Sequence, residues 1–240
     1  MTENINIVID LETAATTPNA AILSIAAVPF GFNLDPKDET SVFRPTLSDG
    51  TRVNAVPFYK VVNANSCVVM GMDFDADTVK WWAKQSEEAK QQLLVADAIH
   101  IADAMHQFIQ WANDIRERYN AELRIWSQGL DFDLPILRNA VMKTCPGETL
   151  PWHYTEQRDA RTYCLSELSR LIGDTDRSLY SFIPPCPLSL IIKHSSLCDA
   201  TQTAWNIVNS YHETPVVLCA ANICKEEKPS GSSTSDTIRK

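Results

Sequence analysis

Apolar positions in the first part of the chain run with strand character. INIVI (5–9) is a short apolar-rich run, and AAILSIAAVPFGF (20–32) is a second, across a small-residue turn holding Pro18 and Asn19. The two are expected to pair back as a hairpin. SVFRPTL (41–47) is a third expected strand, whereas 48–76 shows no clear period and reads as loop with short strand pieces. From there the period lengthens. In TVKWWAKQSEEAKQQLL (78–94), Val79, Trp82, Ala83, Leu93 and Leu94 share one helical face, with Asp77 as the expected N-cap. A helix over about 97–119 and a buried strand ELRIWSQG (122–129) follow. FDLPILRNAVMKTC (132–145) reads as a helix whose first turn holds Pro135, where a missing N–H does no harm. ARTYCLSELSRLIG (160–173) is another helix, Leu179 to Pro187 a loop, and SLCDATQTAWNIVNSYHE (196–213) a last long helix. Strands, then helices enclosing a further strand, predict an α/β fold: a mixed β-sheet flanked by α-helices.

Composition narrows this. At 240 residues, 45% hydrophobic and 21% charged, the chain suits one well-buried domain, expected over 1–222. The tail (223–240), polar and rich in Ser and Gly from Lys225, is expected to be disordered. No apolar run approaches the roughly 20 residues of a membrane span, and no basic segment precedes an apolar one at the N-terminus. The seven cysteines are odd in number and form no CxxC pair, which fits reduced thiols in a cytoplasmic setting and argues against a zinc knuckle or disulfide scaffold. A net charge of −9 argues against a broad basic surface wrapping duplex nucleic acid. It leaves room for an enzyme that grips only a few nucleotides.

The acids need individual weighing. In NIVIDLETAA, Asp10 and Glu12 close an apolar run with no basic residue beside them. Alternation in an extended chain points both the same way, about 7 Å apart at the backbone. Two such carboxylates repel unless a proton or cation intervenes, and oxygen donors suit Mg²⁺ or Mn²⁺. A strand end reaching solvent explains them equally well. In GLDFDLPIL, Asp133 opens a helix and has an ordinary role as N-cap; Asp131 competes with it for any functional role. In KHSSLCDATQTAW, Ser196 and Asp199 match an S-x-x-D capping box, and His194, just before, has a structural reading of its own.

Taken together and in order, D-x-E at the end of a first strand, F-D at a strand-to-helix turn, and H-x4-D opening the last helix resemble the DEDDh superfamily of 3′→5′ exonucleases, which have a ribonuclease H-like fold. WSQGLDFDLPIL, EQRDART (156–162) and the VKWWAKQS helix are similar to the branch that holds phage-type DNA exonuclease A, exonuclease VIII-like proteins and a mycobacterial exoribonuclease. The resemblance covers about residues 5–212. It implies that Asp10, Glu12, Asp133 and Asp199 hold two divalent ions, Mg²⁺ or Mn²⁺, and that His194 is the general base. The chain has Gly129-Leu130-Asp131 where many members carry an asparagine, a departure that concerns the grip on the nucleotide sugar.

The expected substrate is a single-stranded 3′ end, DNA ahead of RNA on resemblance alone, with no membrane partner; a homodimer is compatible with the sequence. Candidate substrate contacts are Thr13, Trp81, Arg158 and Arg161. Trp81 lies on the polar side of its helix, where an indole could stack a base or instead pack beneath 48–76. The two arginines could meet phosphates or pair with Asp159. Competing readings are a phosphatase using Asp10 as nucleophile, which lacks a downstream lysine motif here, and a catalytically inactive nucleic-acid-binding module, which would normally have lost one of the acids.

Overall fold

The computed structural model describes residues 3–35, 37–172, 183, 185–188 and 192–212. The expected tail and most of the Leu179–Pro187 loop lie outside the described residues. Five strands form one mixed sheet: β1 (Glu3–Thr13), β2 (Ile22–Phe30), β3 (Phe58–Val61), β4 (Ala121–Ser127) and β5 (Gln157–Asp159), in the order β3-β2-β1-β4-β5. β1 pairs antiparallel with β2 and parallel with β4, so it sits at the centre, where the sheet changes direction. Helices α1 (Ala64–Val69), α2 (Ala76–Ala83), α3 (Glu87–Leu93), α4 (Ile101–Arg118), α5 (Asp133–Thr144), α6 (Ala160–Ile172) and α7 (Ser196–Tyr211) complete the described chain. The α/β architecture expected from the sequence, a ribonuclease H-like mixed sheet flanked by helices, is the one found.

Strand alternation decides which helices cover which face. The odd side chains of β1 (Ile5, Ile7, Ile9, Leu11) join one core with Ala104, Met105 and Phe108 of α4 and Leu134 and Leu137 of α5. Val8, on the even side, joins a second core with Cys164 and Leu168 of α6 and Ala200, Ala204 and Ile207 of α7. β1 is thus buried on both faces along most of its length. Its even row continues from Val8 to Asp10 and Glu12.

Three sequence expectations change. Residues 41–47 do not form a strand: a 3₁₀ turn spans Glu39–Phe43, because Asp38 accepts from the Thr40 backbone N–H and Pro45 has no N–H to donate to a ladder. The third strand is Phe58–Val61, inside the stretch read as loop. The helix expected over 78–94 is two: Asp75, rather than Asp77, caps α2 by accepting from Thr78 N at 2.8 Å, and Ser86 restarts the chain as the cap of α3. Ser86 is a strong local cap, so the break lies in the sequence itself. Among the described residues, no helix is long and apolar enough to cross a membrane.

Candidate active site

Asp10 and Glu12 lie inside the β1–β2 ladder rather than beyond its end, with Asp10 opposite Ala26 and Glu12 opposite Ser24. The register then slips, Thr13 pairing with Ile22, which is the kind of irregularity that re-aims side chains at a strand's end. The two other acids come from helix starts. Asp133 does not serve as the N-cap of α5; that position is Phe132, without a side-chain cap. Its Oδ1 instead accepts from the Leu11 backbone N–H at 3.0 Å, the amide between Asp10 and Glu12. A single hydrogen bond therefore pins the third acid to the strand carrying the first two.

The fourth acid arrives on α7. The S-x-x-D box expected there is not formed: Ser195 occupies the cap position without a side-chain bond, and the Ser196 hydroxyl is drawn to Ser24 Oγ, 2.9 Å away in the core. Ser24 is the cross-strand partner of Glu12, so this contact sets the first turn of α7 beside the acids. Asp199 Oδ2 accepts from the His194 backbone N–H at 3.1 Å, and His194 adopts a left-handed backbone, φ 63°. Side-chain donor atoms of Glu12, His194 and Asp199 all lie within 4.8 Å of one another. The four acids and the histidine implied by the resemblance thus converge at the end of β1.

Convergence has an electrostatic cost. Glu12 is 8% and Asp133 4% exposed. Burial, reinforced by Asp199 and Asp133, pushes the Glu12 carboxyl up to about 8. Burial lifts Asp133 to about 7 against the opposing pull of the Leu11 amide and the Arg161 charge. Asp10 is raised well above the ordinary range by burial and then by Asp133, Glu12 and Asp199. Asp199 is raised by burial, the His194 amide and the charges of His194 and Lys193 acting the other way. Among the described residues, neither Asp10 nor Glu12 forms an ion pair with a lysine or arginine.

One wall of the site is aromatic. Trp82 is buried, and its indole N–H donates to the Thr13 carbonyl at 2.9 Å, fastening α2 to the end of β1. Trp81 is 42% exposed rather than covered by 48–76, and its ring meets the His194 ring edge-on at 4.7 Å. Glu12, Thr13, Trp81, Trp82 and Phe132 line a common cavity of about 460 Å³. Thr13 itself is buried, its hydroxyl donating to the Ala15 carbonyl at 2.7 Å.

The two arginines part company. Arg161 donates to the Gln128 carbonyl at 2.7 Å, close to Gly129 (φ +122°), and its charge reaches Asp133. Arg158 donates to the carbonyls of Thr155 and Gln157 at 2.6 and 2.9 Å, and its guanidinium faces Glu156. Sequence reading missed Asp159, which accepts from Leu130 N at 3.1 Å and Thr162 N at 2.6 Å, joining β5 to the loop that delivers Asp133. Its flanking arginines drew attention to Asp159 only as an ion-pair partner.

The paired acids on the central strand and two more supplied by helix starts thus form one acidic cluster. The family model for the 3′-5′ exoribonuclease Rv2179c-like domain matches residues 5–210, and the chain belongs to that family of 3′→5′ exonucleases. An exodeoxyribonuclease of Enterobacteria phage T4 is 26% identical over 135 residues, 54% of this chain and 52% of the phage protein. The chain thus spans about half the length of that curated relative. The crystal structure of cell-death related nuclease 4 (CRN-4) shares the fold, with a TM-score of 0.53 at 12% identity over 87% of this chain and 64% of that one.

Proposed function

We propose that this protein is a metal-dependent 3′→5′ exonuclease that hydrolyses the terminal phosphodiester bond of single-stranded nucleic acid, with DNA ahead of RNA. The observation that carries the proposal is the gathering of Asp10, Glu12, Asp133 and Asp199 around one strand end, with Asp10 and Glu12 lifted partly by the charge of the other acids. Four oxygen donors without a basic partner for Asp10 or Glu12 fit hard divalent cations. These four residues would hold two ions, Mg²⁺ or Mn²⁺. Bound there, the pair would supply an activated water and offset charge on the phosphate oxygens.

The remaining steps fall to the chain's own groups. The Leu11 amide holds Asp133 in one rotamer, so the acid does not have to be ordered during turnover. The imidazole of His194, anchored through its own backbone N–H to Asp199, is the group that accepts the proton of the attacking water. Trp81 offers an exposed ring face beside His194 for the 3′-terminal base. Arg161 adds positive charge near Asp133.

DNA leads because the named phage relative is an exodeoxyribonuclease. The family's own description names RNA, which makes RNA the second arm of the test. The assay uses 3′-labelled and 5′-labelled single-stranded DNA and RNA with Mg²⁺ or Mn²⁺, wild type beside Asp10→Ala and His194→Ala. Release of 3′-labelled mononucleotide by wild type alone supports the reading. Activity that survives both substitutions overturns the site, and release from the 5′ end overturns the polarity.

A further inference from the structure

A second cluster of donor atoms lies outside this site. His106 Nδ1 on α4 stands 2.7 Å from Glu148 Oε1, and one donor atom each of His106, Cys145 and Glu148 lies within 4.8 Å of the others. We propose that these three residues form a zinc site. Asp133 begins α5 and Cys145 follows its last residue, so the length of a helix, about 18 Å at 1.5 Å per residue, separates this cluster from the acids of the candidate active site.

Local sequence builds the cluster. In Cys145-Pro146-Gly147-Glu148 the Glu148 N–H donates to the Cys145 carbonyl at 3.0 Å, and Gly147 has φ +88°. Proline at the second position and a positive-φ glycine at the third are what a type II turn requires. The turn places Cys145 and Glu148 at its two ends, three residues apart, and both meet the same stretch of α4. The Cys145 thiol lies 3.9 Å from the Ala102 carbonyl, one helical turn before His106.

Neither half of the cluster explains the whole. An exposed His–Glu pair contributes little and needs no cysteine beside it. A buried cysteine ordinarily behaves as a small apolar residue and has no need of two charged neighbours. Here the thiol is 1% exposed at the floor, while the His106 and Glu148 side chains are 52% and 38% exposed at the rim. An ion therefore has an entry path from solvent, and the fourth position is open to water. Zinc sites draw on sulfur at about 2.3 Å and on nitrogen and oxygen at about 2.0–2.2 Å, which separates the ligand atoms by roughly 3–4 Å; small side-chain adjustments bring this cluster to that spacing.

Sulfur also decides the metal. A thiolate–imidazole–carboxylate set favours Zn²⁺ over Mg²⁺ and Mn²⁺, which prefer the oxygen-only acids. Binding would displace the thiol proton to solvent and tie α4 to the end of α5. No motif announces the site because its ligands come from two elements, neither carrying a CxxC or HxxxH pair.

The test uses the full chain, stripped with chelator and held in excess Mg²⁺. Zn²⁺ affinity is measured by competition with a chromophoric chelator, and Co²⁺ is added as a spectroscopic substitute. Wild type is expected to bind one Zn²⁺ tightly and to show a sulfur-to-cobalt charge-transfer band. Cys145→Ser should abolish the band, and both it and His106→Ala, which alters only an exposed side chain, should weaken Zn²⁺ binding by more than about 100-fold. Cobalt spectra without the thiolate band in wild type, or Zn²⁺ affinity unchanged in His106→Ala, would overturn the proposal.

Discussion

Replacing Glu12 by Gln should stabilise the metal-free protein, although it removes a proposed metal ligand. The Glu12 carboxyl sits at about 8 in the fold against an ordinary 4.5, so the folded state holds its proton more tightly than the unfolded chain does. Its contribution to stability is therefore complete below about pH 4.5 and is lost as pH rises towards 8. At about 1.4 kcal/mol per pH unit, the loss amounts to about 4 kcal/mol at pH 8 and less than about 1 kcal/mol at pH 5. Gln keeps the shape of the protonated acid and cannot ionise. In chelator at pH 8 the variant should melt on the order of 10 °C above wild type, and at pH 5 within about 3 °C of it, using about 2–4 °C per kcal/mol for a domain of this size. Thermal unfolding followed by circular dichroism at the two pH values, with EDTA or Mn²⁺, reads both effects. With Mn²⁺ the wild type should gain stability and the variant little. A variant that melts below wild type in EDTA at pH 8, or shifts equally at both pH values, would refute the reasoning.

Other expectations follow from single contacts. Trp81→Ala should raise KM roughly 5- to 100-fold, the equivalent of about 1–3 kcal/mol of stacking, while leaving Tm nearly unchanged because the ring is 42% exposed; a lower Tm with unchanged KM would make it a packing residue. Asp159→Ala frees the Leu130 and Thr162 amides and should cost about 1–3 kcal/mol in denaturant unfolding, with activity falling as the loop before Asp133 loosens. Ser196→Ala leaves Ser24 without its buried partner and should cost about 1–2 kcal/mol in the same assay, an effect absent if the pair is a mere contact.

Much of the fold was legible because β1, α4 and α7 carry strong local periods. Ile5, Ile7, Ile9 and Leu11 read as one face of a strand, and the apolar row of α7 from Ala200 to Val208 is the row that packs. What escaped was short or decided elsewhere in the chain. β5 is only three residues long and shows no period. Asp38 and Pro45 turn a stretch with strand propensity into a 3₁₀ turn. Asp133 looked like a helix cap and Ser196 like half of a capping box with Asp199, and Asp133 and Ser196 were each redirected by a partner that proximity in sequence could not reveal. The Leu11 amide is 122 positions from Asp133, and Ser24 is 172 positions from the serine that would have completed the capping box. The order of the motifs, rather than any one of them, identified the acids as a set.

If Asp10, Glu12, Asp133 and Asp199 hold a pair of divalent ions, Mn²⁺ will report them by its anomalous scattering. Diffraction from crystals soaked in Mn²⁺, collected at the manganese absorption edge, tests this directly. Two anomalous peaks are expected among these four side chains, about 3.5–4 Å apart. No peak there in crystals that diffract well, or peaks that persist in Asp10→Asn crystals, would contradict the two-ion site.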